Sequence, residues 1–490
     1  MQLYWDKLLT PKRHREKPTV RKTANDNRTA FKKDFDTVCN STILRRLQDK
    51  AQVFPLEDED YARTRLTHSI EVMSIAESLG MQAIFIINNH DSKYLSSDCS
   101  KETDVQQLIN DIPTILKTVS LLHDMGNPTF GHLGEKIIGD WFRDNLGNLA
   151  FNSDKLLVFK NGGDAKDTLE FKLNGKFAED LKHFDGNAQL FRLVNKLSFV
   201  VDEFGMNLTY PVMSTFIKYP TSSLEINNKN LSCKKMGYFS SEKKIYQTID
   251  NELGLNGCRH PLAFLLEAAD DIAYLTADIE DAHHKGIISM REIEEYFESC
   301  KDDELVETVI ASMKTYKEKA MQMDYYDVEN YVVHRTRVLI KGLMIDAVYS
   351  AFDEFYETIM KGRFDKELIS VSRASEIARI LRSIENNDIY YSPQILKNKT
   401  RAFSVIKKLL ETYVPAVVNW SKTQDYGKDT SNNLLYQSLS KNYRYICETS
   451  NKQTENESEI IYNKLLLVTD QIAGMTDTHA LSVYKTITAN

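Results

Sequence analysis

The sequence predicts a mainly α-helical protein on three observations. Its 490 residues hold only 19 Gly and 10 Pro, so long stretches run without a strong breaker. Apolar residues recur at helical spacing in those stretches, as at Ile70, Val72, Met73, Ile75, Ala76 and Leu79. At 42% hydrophobic and 27% charged, the chain can bury a core and is long for one small domain.

Residues 1–35 read as a polar, basic arm with little packing power. Residues 36–53 read as helix, with Val38, Leu44, Leu47 and Val53 able to share a face. A helix over 69–79 stops at Gly80, and the polar stretch 87–106 reads as loop. The next helix, 111–122, has Asp111 as candidate cap and Pro113 in its first turn. It runs into His123-Asp124 and breaks at Gly126-Asn127-Pro128; helix resumes over 133–146. The Gly-, Asp- and Lys-rich stretch 152–187 has room for a small β-hairpin near 171–177. Helix follows at 187–199, and 219–248 reads as a long functional loop. A strong helix spans 262–282, and helical patterns fill 290–382 and 399–418. The polar run 449–459 reads as exposed. The chain divides into an arm (1–35), a motif-bearing core (36–285) and a helical C-terminal region (286–490) that completes the substrate site and oligomer contacts.

The net charge is −8, so the surface as a whole does not advertise nucleic-acid binding, and an anionic substrate needs a local basic pocket. Six Cys, at 39, 99, 233, 258, 300 and 447, form no Cys-x-x-Cys pair and suggest no disulfide framework. The Lys- and Arg-rich N-terminus lacks the apolar segment of a secretory signal. No run of about 18 apolar residues is present, so no membrane span is expected. The expectation is a soluble, cytoplasmic protein.

Chemistry concentrates in a few segments. His123 and Asp124, adjacent at the end of an apolar helix, offer a ring nitrogen and a carboxylate to one point. His68 starts a second helix and Asp270 lies inside a third. Neutral imidazoles with carboxylates suit Mn, Fe, Zn, Ni or Mg, and two His move the set away from Mg alone. Each residue by itself is weak evidence; a His at a helix start is usually a cap or a surface group. His132 and Glu135, at i and i+3, are neighbours on one helical face, the arrangement that builds a general acid or base near neutral pH. Asp270, Tyr274 and Asp278, at i, i+4 and i+8, form a stripe leading away from the metal, suited to a sugar and its hydroxyl. Asp271 is rotated by about 100° and reads as structural. Arg65, three residues before His68, can meet a phosphate bidentately. Lys218-Tyr219 and Lys234-Lys235 supply a local basic pocket.

These residues lie in longer strings: RRLQDKAQVF at 45–54, TRLTHS at 64–69, HDMGNPTFGH at 123–132, HFDGNAQ at 183–189 and EAADDIAY at 267–274. Together they resemble the deoxyguanosinetriphosphate triphosphohydrolases of the HD-domain superfamily, over about 40–285. The resemblance implies an HD-domain helical bundle with added C-terminal helices. It implies hydrolysis of dGTP, or of further dNTPs, to deoxynucleoside and inorganic triphosphate by attack at the α-phosphate. His68, His123, Asp124 and Asp270 would hold a divalent metal ion. His132, supported by Glu135, would face the α-phosphate. Arg65, Lys218 and Tyr219 would contact phosphates, and Lys234 and Lys235, read from the polar loop itself, are further candidates. Tyr274 would pack on the deoxyribose where a 2′-hydroxyl would sit. Asp278 and Gln52 would read the 3′-hydroxyl, with Val53 near the base. No base-reading residue in the C-terminal half follows from it. The family commonly carries Glu where Asp185 stands. It also implies a homo-oligomer, hexamer or tetramer. Some members bind single-stranded DNA, for which the basic stretch 11–33 is the candidate here. Two rival readings are an HD-type phosphohydrolase acting on another nucleotide phosphoester and a catalytically silent nucleotide- or nucleic-acid-binding scaffold.

Overall fold

The structure is a computed structural model, and it describes residues 2–15, 26–52, 63–90, 94–95, 102–159, 164–198, 204–422 and 427–488. Those residues form a helical assembly with one two-stranded antiparallel sheet.

Three long helices carry the centre. Arg65–His90 packs on Ile112–Leu122 and on Pro261–His284, and the last of these packs on Val328–Glu354. The first of them does not stop at Gly80. Gly80 sits where the Ile112–Leu122 helix crosses closest; a Cβ there would lie 2.9 Å from Leu116 Cδ1 and 3.1 Å from the Pro113 Cα. The glycine permits close packing inside a continuous helix, and Ala83, Ile86 and Ile87 continue the buried face beyond it. By length and composition alone this helix is apolar enough to cross a membrane. Here it lies in the core, brings Arg65 to a cavity and sets His68 against Asp270 of the cavity lining.

Other expectations need correction. The hairpin is not near 171–177 but pairs Leu149–Phe151 with Leu157–Phe159. Its turn is set by Asn152, whose Oδ1 accepts from the Asp154 and Leu156 amides. Asn419, ending the Pro393–Asn419 helix, exchanges two hydrogen bonds with Leu157 in the manner of a third strand. The stretch 169–182 is helical instead, because Thr168 and Asn174 cap successive helices. Part of the expected loop 87–106 is helix too, namely the end of Arg65–His90 and Glu102–Asn110. In 219–248, short 3₁₀ turns precede a helix that starts at Lys243, and Met236, Tyr238 and Phe239 are buried, so the segment is packed.

The N-terminal arm also packs. Leu3, Trp5, Leu8, Leu9 and Phe31 are buried. The Trp5 indole N–H donates to the Tyr356 hydroxyl at 2.6 Å, and the Leu3 amide donates to the Met360 carbonyl. Several of its cations are matched by acids: Lys12 by Glu252, Arg13 by Asp34, Arg28 by Asp26 and Asp36, Lys32 by Asp36 and Lys33 by Asp26.

Beyond 290 the chain is helical through Met290–Glu298, Glu304–Gln322, Val328–Glu354 and Ser375–Ile384. A π-helical turn, Glu385–Ile389, then leads towards Pro393–Asn419. Glu457–Gly474 and Asp477–Thr488 close the described chain.

Candidate active site

A cavity of about 680 Å³ opens among these helices, a size suited to a nucleotide. His123 and Asp270 of its lining, with His68 packed beside them, place three ligand atoms within 4.8 Å of one another. His68 Nε2 is 3.0 Å and His123 Nε2 3.5 Å from Asp270 Oδ1. His123 Nδ1 lies 2.7 Å from the Ser120 carbonyl, a contact that keeps a proton on Nδ1 and, in the neutral ring, offers the Nε2 lone pair to a ligand. That Nε2 is buried with no hydrogen-bond partner among the described residues. Burial opposes a charged His123, yet Asp124 and Asp270 overcome it and lift the imidazole to about 9. The point favours positive charge, and its donors are two imidazoles and a carboxylate; the set fits a divalent ion.

Asp124 stands at the edge of this group, with Oδ1 3.7 Å from His123 Nε2. Its Oδ2 accepts from Arg65 at 2.7 Å and its Oδ1 from the Asn127 amide at 2.5 Å. Arg65 thus holds a carboxylate at the edge of the His–Asp cluster, and both residues line the cavity.

Between Asp124 and His132 the chain turns back through two consecutive left-handed residues, Phe130 (φ 61°) and Gly131 (φ 58°). A left-handed Phe costs on the order of 1–3 kcal/mol and persists only where its surroundings hold it. The turn starts the Gly131–Asn145 helix, which carries His132 and Glu135. His132 Nδ1 donates to Glu135 Oε2 at 3.0 Å, while Glu135 Oε1 accepts from the Gly186 amide at 3.0 Å. Glu135 raises the imidazole above its ordinary value. Burial acts to raise Glu135, but His132 and Lys235 override it and hold the carboxyl at about 2. His132 remains open to the cavity, its side chain 75% accessible. In this dyad the carboxylate therefore favours the charged form of an imidazole that borders the cavity.

The stripe Asp270, Tyr274 and Asp278 lines one wall as its spacing predicts. Asp278 is 2% exposed, and its buried Oδ1 lacks a hydrogen-bond partner. Burial, together with Glu385 and Asp281, pushes it well above the usual carboxylate range. Gln52 lines the same cavity with its Oε1 unpartnered, whereas Val53 lies outside the described residues. Asp271 does not point away: it reaches the cavity and accepts from Arg382.

The expected phosphate contacts also line the cavity, but three of the four cations are tethered. Arg65 is held by Asp124. Lys218 meets Glu267 at 2.9 Å, and Arg259 takes the other oxygen of that carboxylate. Lys235 lies 2.8 Å from Asp185 and 3.5 Å from Glu135, so Asp185 orders the dyad through a lysine. Lys234 is exposed at the rim, and Tyr219 is buried with its ring beneath Lys218.

The sequence reading missed the far wall. Arg382, Glu385, Tyr390, Asn398 and Lys399 come from the C-terminal helices, and Asp477 from the last one. Glu385 sits in the π-helical turn, 3% exposed, with a buried unpartnered Oε1. Burial pushes it up to about 8. Its only local signal is a carboxylate inside a π-turn, a feature common at functional sites but visible only in the fold.

Residues 370–486 match the family model of the phosphohydrolase-associated domain. Over 98% of both chains, this protein is 38% identical to a deoxyguanosinetriphosphate triphosphohydrolase-like protein of Listeria monocytogenes. A protein of the same description from Synechocystis is 30% identical, again over 98% of both chains. The deoxyguanosinetriphosphate triphosphohydrolase of Yersinia enterocolitica is 27% identical over 96% of both. With its helical fold, clustered His and Asp ligands and end-to-end similarity to these relatives, the chain belongs to the deoxyguanosinetriphosphate triphosphohydrolase family.

Proposed function

We propose that this protein is a metal-dependent hydrolase that converts dGTP to deoxyguanosine and inorganic triphosphate, with other dNTPs as secondary substrates. One observation carries the reading: His123 and Asp270 of the His68–His123–Asp270 cluster, His132 of the His132–Glu135 dyad and the Asp270–Tyr274–Asp278 stripe all line one cavity. The names of the relatives support it.

His68, His123, Asp124 and Asp270 are the residues that would hold the ion. Asp124 can join although Arg65 and Asn127 already bind it, because a carboxylate has about four acceptor sites. Two imidazoles favour Mn, Fe, Zn or Ni over Mg alone. When bound, the ion supplies Lewis-acid charge at the α-phosphate and lowers the pKa of water there.

The residues of the chain do the rest. Arg65, Lys218, Lys234 and Lys235 take the triphosphate, each tethered lysine or arginine keeping N–H donors beyond those its carboxylate uses. Tyr274 packs on the deoxyribose, and Gln52 and Asp278 meet the 3′-hydroxyl. Water attacks the α-phosphorus, a P–O bond forms, and the bond from phosphorus to the 5′-oxygen breaks. That oxygen leaves as a basic alkoxide and needs a proton. His132, kept protonated by Glu135, donates it and is reprotonated from the proton the water gives up. Triphosphate and nucleoside are the products.

Product analysis tests the reading. Each dNTP, and GTP, is incubated with the protein and Mn or Mg, and the products are separated by ion exchange. Release of triphosphate from dGTP is expected. Pyrophosphate or orthophosphate would mean another phosphohydrolase, and no product would leave a binding scaffold. Sedimentation would distinguish the tetramer or hexamer of this reading from a monomer. With the cations of the described arm largely matched by acids, single-stranded DNA binding through 11–33 is the weakest part of the reading, and a filter-binding titration decides it.

A further inference from the structure

The end of the chain reaches back into the catalytic motifs at one carboxylate. Asp477 is 3% exposed. Its Oδ1 accepts from the Phe130 amide at 2.8 Å and the Thr129 hydroxyl at 2.9 Å. Its Oδ2 accepts from the Ala51 amide at 3.0 Å. The two oxygens therefore grip two segments. One is the left-handed turn at Phe130 that aims His132; the other is the strand-like piece that ends in Gln52. That second piece also sets the start of the Arg65–His90 helix, since the Lys50 carbonyl accepts from the Arg65 amide and Ala51 bridges to Thr64.

Lys50 reinforces the grip. It is 3% exposed, and its Nζ donates to the Asn127 carbonyl at 2.6 Å and the Ala473 carbonyl at 2.8 Å. Burial lowers the ammonium to about 7, and the neutral amine has two N–H donors for those two carbonyls. Thr478 adds a third tie, donating to Asp49 at 2.7 Å. Residues 473–478 thus meet both catalytic segments, although they are more than 340 residues away along the chain from Phe130.

We propose that Asp477 is a positioning residue for the reaction: it holds Phe130 in its left-handed turn and Ala51 in register, so that His132 and Gln52 address one substrate. Asp477 touches no reacting atom in this scheme. The proposal rests on the hydrolase reading above. It makes the C-terminal region part of the catalytic apparatus, because that region supplies a carboxylate whose two oxygens accept from both segments.

The test is Asp477→Asn. The amide keeps the shape but turns one of the two acceptor oxygens into an N–H donor facing the Phe130 or the Ala51 amide. On full-length, metal-loaded protein, kcat for dGTP should fall on the order of 100-fold, the scale expected for a misplacement near 1 Å. Metal content by elemental analysis should be unchanged, and the Kd for a non-hydrolysable dGTP analogue should rise less. A parallel loss of metal, binding and kcat would make the residue merely structural and overturn the proposal. So would a kcat within threefold of wild type. If Asp477→Asn does not fold, Thr129→Val decides: it deletes one donor to Oδ1 and keeps the charge, and it should lower kcat several-fold with the metal retained. Unchanged turnover there overturns the proposal. Wild-type protein run alongside separates the two claims: if it releases no triphosphate, the hydrolase reading has failed instead.

Discussion

Replacing Glu135 by Gln removes the charge opposite His132 and the one Lys235 meets at 3.5 Å, and keeps the shape of the side chain. The Gly186 amide can still find the side-chain oxygen, as it finds Glu135 Oε1 now. The nitrogen then faces His132 Nδ1, where two N–H groups would meet, so the imidazole must give up its proton or turn away. The size of the effect follows from the geometry. Opposite charges 4 Å apart gain about 1 kcal/mol in water and about 4 at the effective dielectric of a protein surface. With its side chain 75% accessible, His132 belongs near the lower, screened end. One pKa unit is about 1.4 kcal/mol, so the imidazole should drop by roughly one unit. His132 acts as the acid, so the alkaline limb of kcat against pH should move to lower pH by that amount. At neutral pH the loss should be on the order of 10- to 100-fold, below the full general-acid contribution of about 10²–10⁴ that His132→Ala removes. The assay is triphosphate release from saturating dGTP between pH 6 and 9, with metal content measured on the same samples. An alkaline limb that stays put or moves up would refute the acid role. Metal loss in His132→Ala would make that residue a ligand.

Asp124→Ala should lose bound metal and activity together, and elemental analysis with full turnover retained would remove Asp124 from the metal site. Tyr274→Ala should narrow the preference for dGTP over GTP, read as the ratio of their kcat/KM values; equal wild-type rates on the two would remove the deoxyribose reading. Glu385, pushed up to about 8 by burial, is neutral below that pH and charged above it. The KM for dGTP should therefore climb as pH rises through 8, since a new negative charge meets an anionic substrate. Glu385→Gln should flatten that rise, and the same slope in both proteins would exclude Glu385 as its origin.

Elements with strong local determinants were legible from the sequence. Helix Pro261–His284 carries Asp270, Tyr274 and Asp278 at i, i+4 and i+8, and the structure places that stripe on the cavity wall. His132 and Glu135 meet as their i, i+3 spacing requires. Elements that depend on distant partners were not legible. Gly80 looks like a helix stop in isolation, but it is a crossing point, because Leu116 and Pro113 approach it. Trp5 looks like part of a polar arm until Tyr356, 351 residues on, receives its N–H. Lys235 reads as a free phosphate ligand, and only the fold shows it tied to Asp185 and Glu135. Arg382, Glu385 and Asp477 reach the cavity from far along the chain, with no spacing that marks them.

The charge around the cavity explains why a chain with a net charge of −8 can still take a polyanion. Eight carboxyl groups and six Lys or Arg side chains line it among the described residues. Taken as fully ionised, that wall would repel a triphosphate. Two features reverse the balance. Asp271, Asp278 and Glu385 are all raised, chiefly by burial, so that they hold protons where free carboxyls would not. The other five have partners: Asp124 holds Arg65, Glu267 holds Lys218 and Arg259, Glu367 holds Arg382, Asp477 accepts from the Thr129 hydroxyl and the Phe130 and Ala51 amides, and Asp270 faces His68 and His123. Each tether uses one or two donors and leaves the others aimed from a fixed head group, so less side-chain freedom is lost when phosphate binds. A divalent ion at His68, His123 and Asp270 would add the positive charge that the tethered cations do not supply. On the proposed function, anion capture is thus a property of one ordered wall, built from both halves of the chain, and not of surface charge.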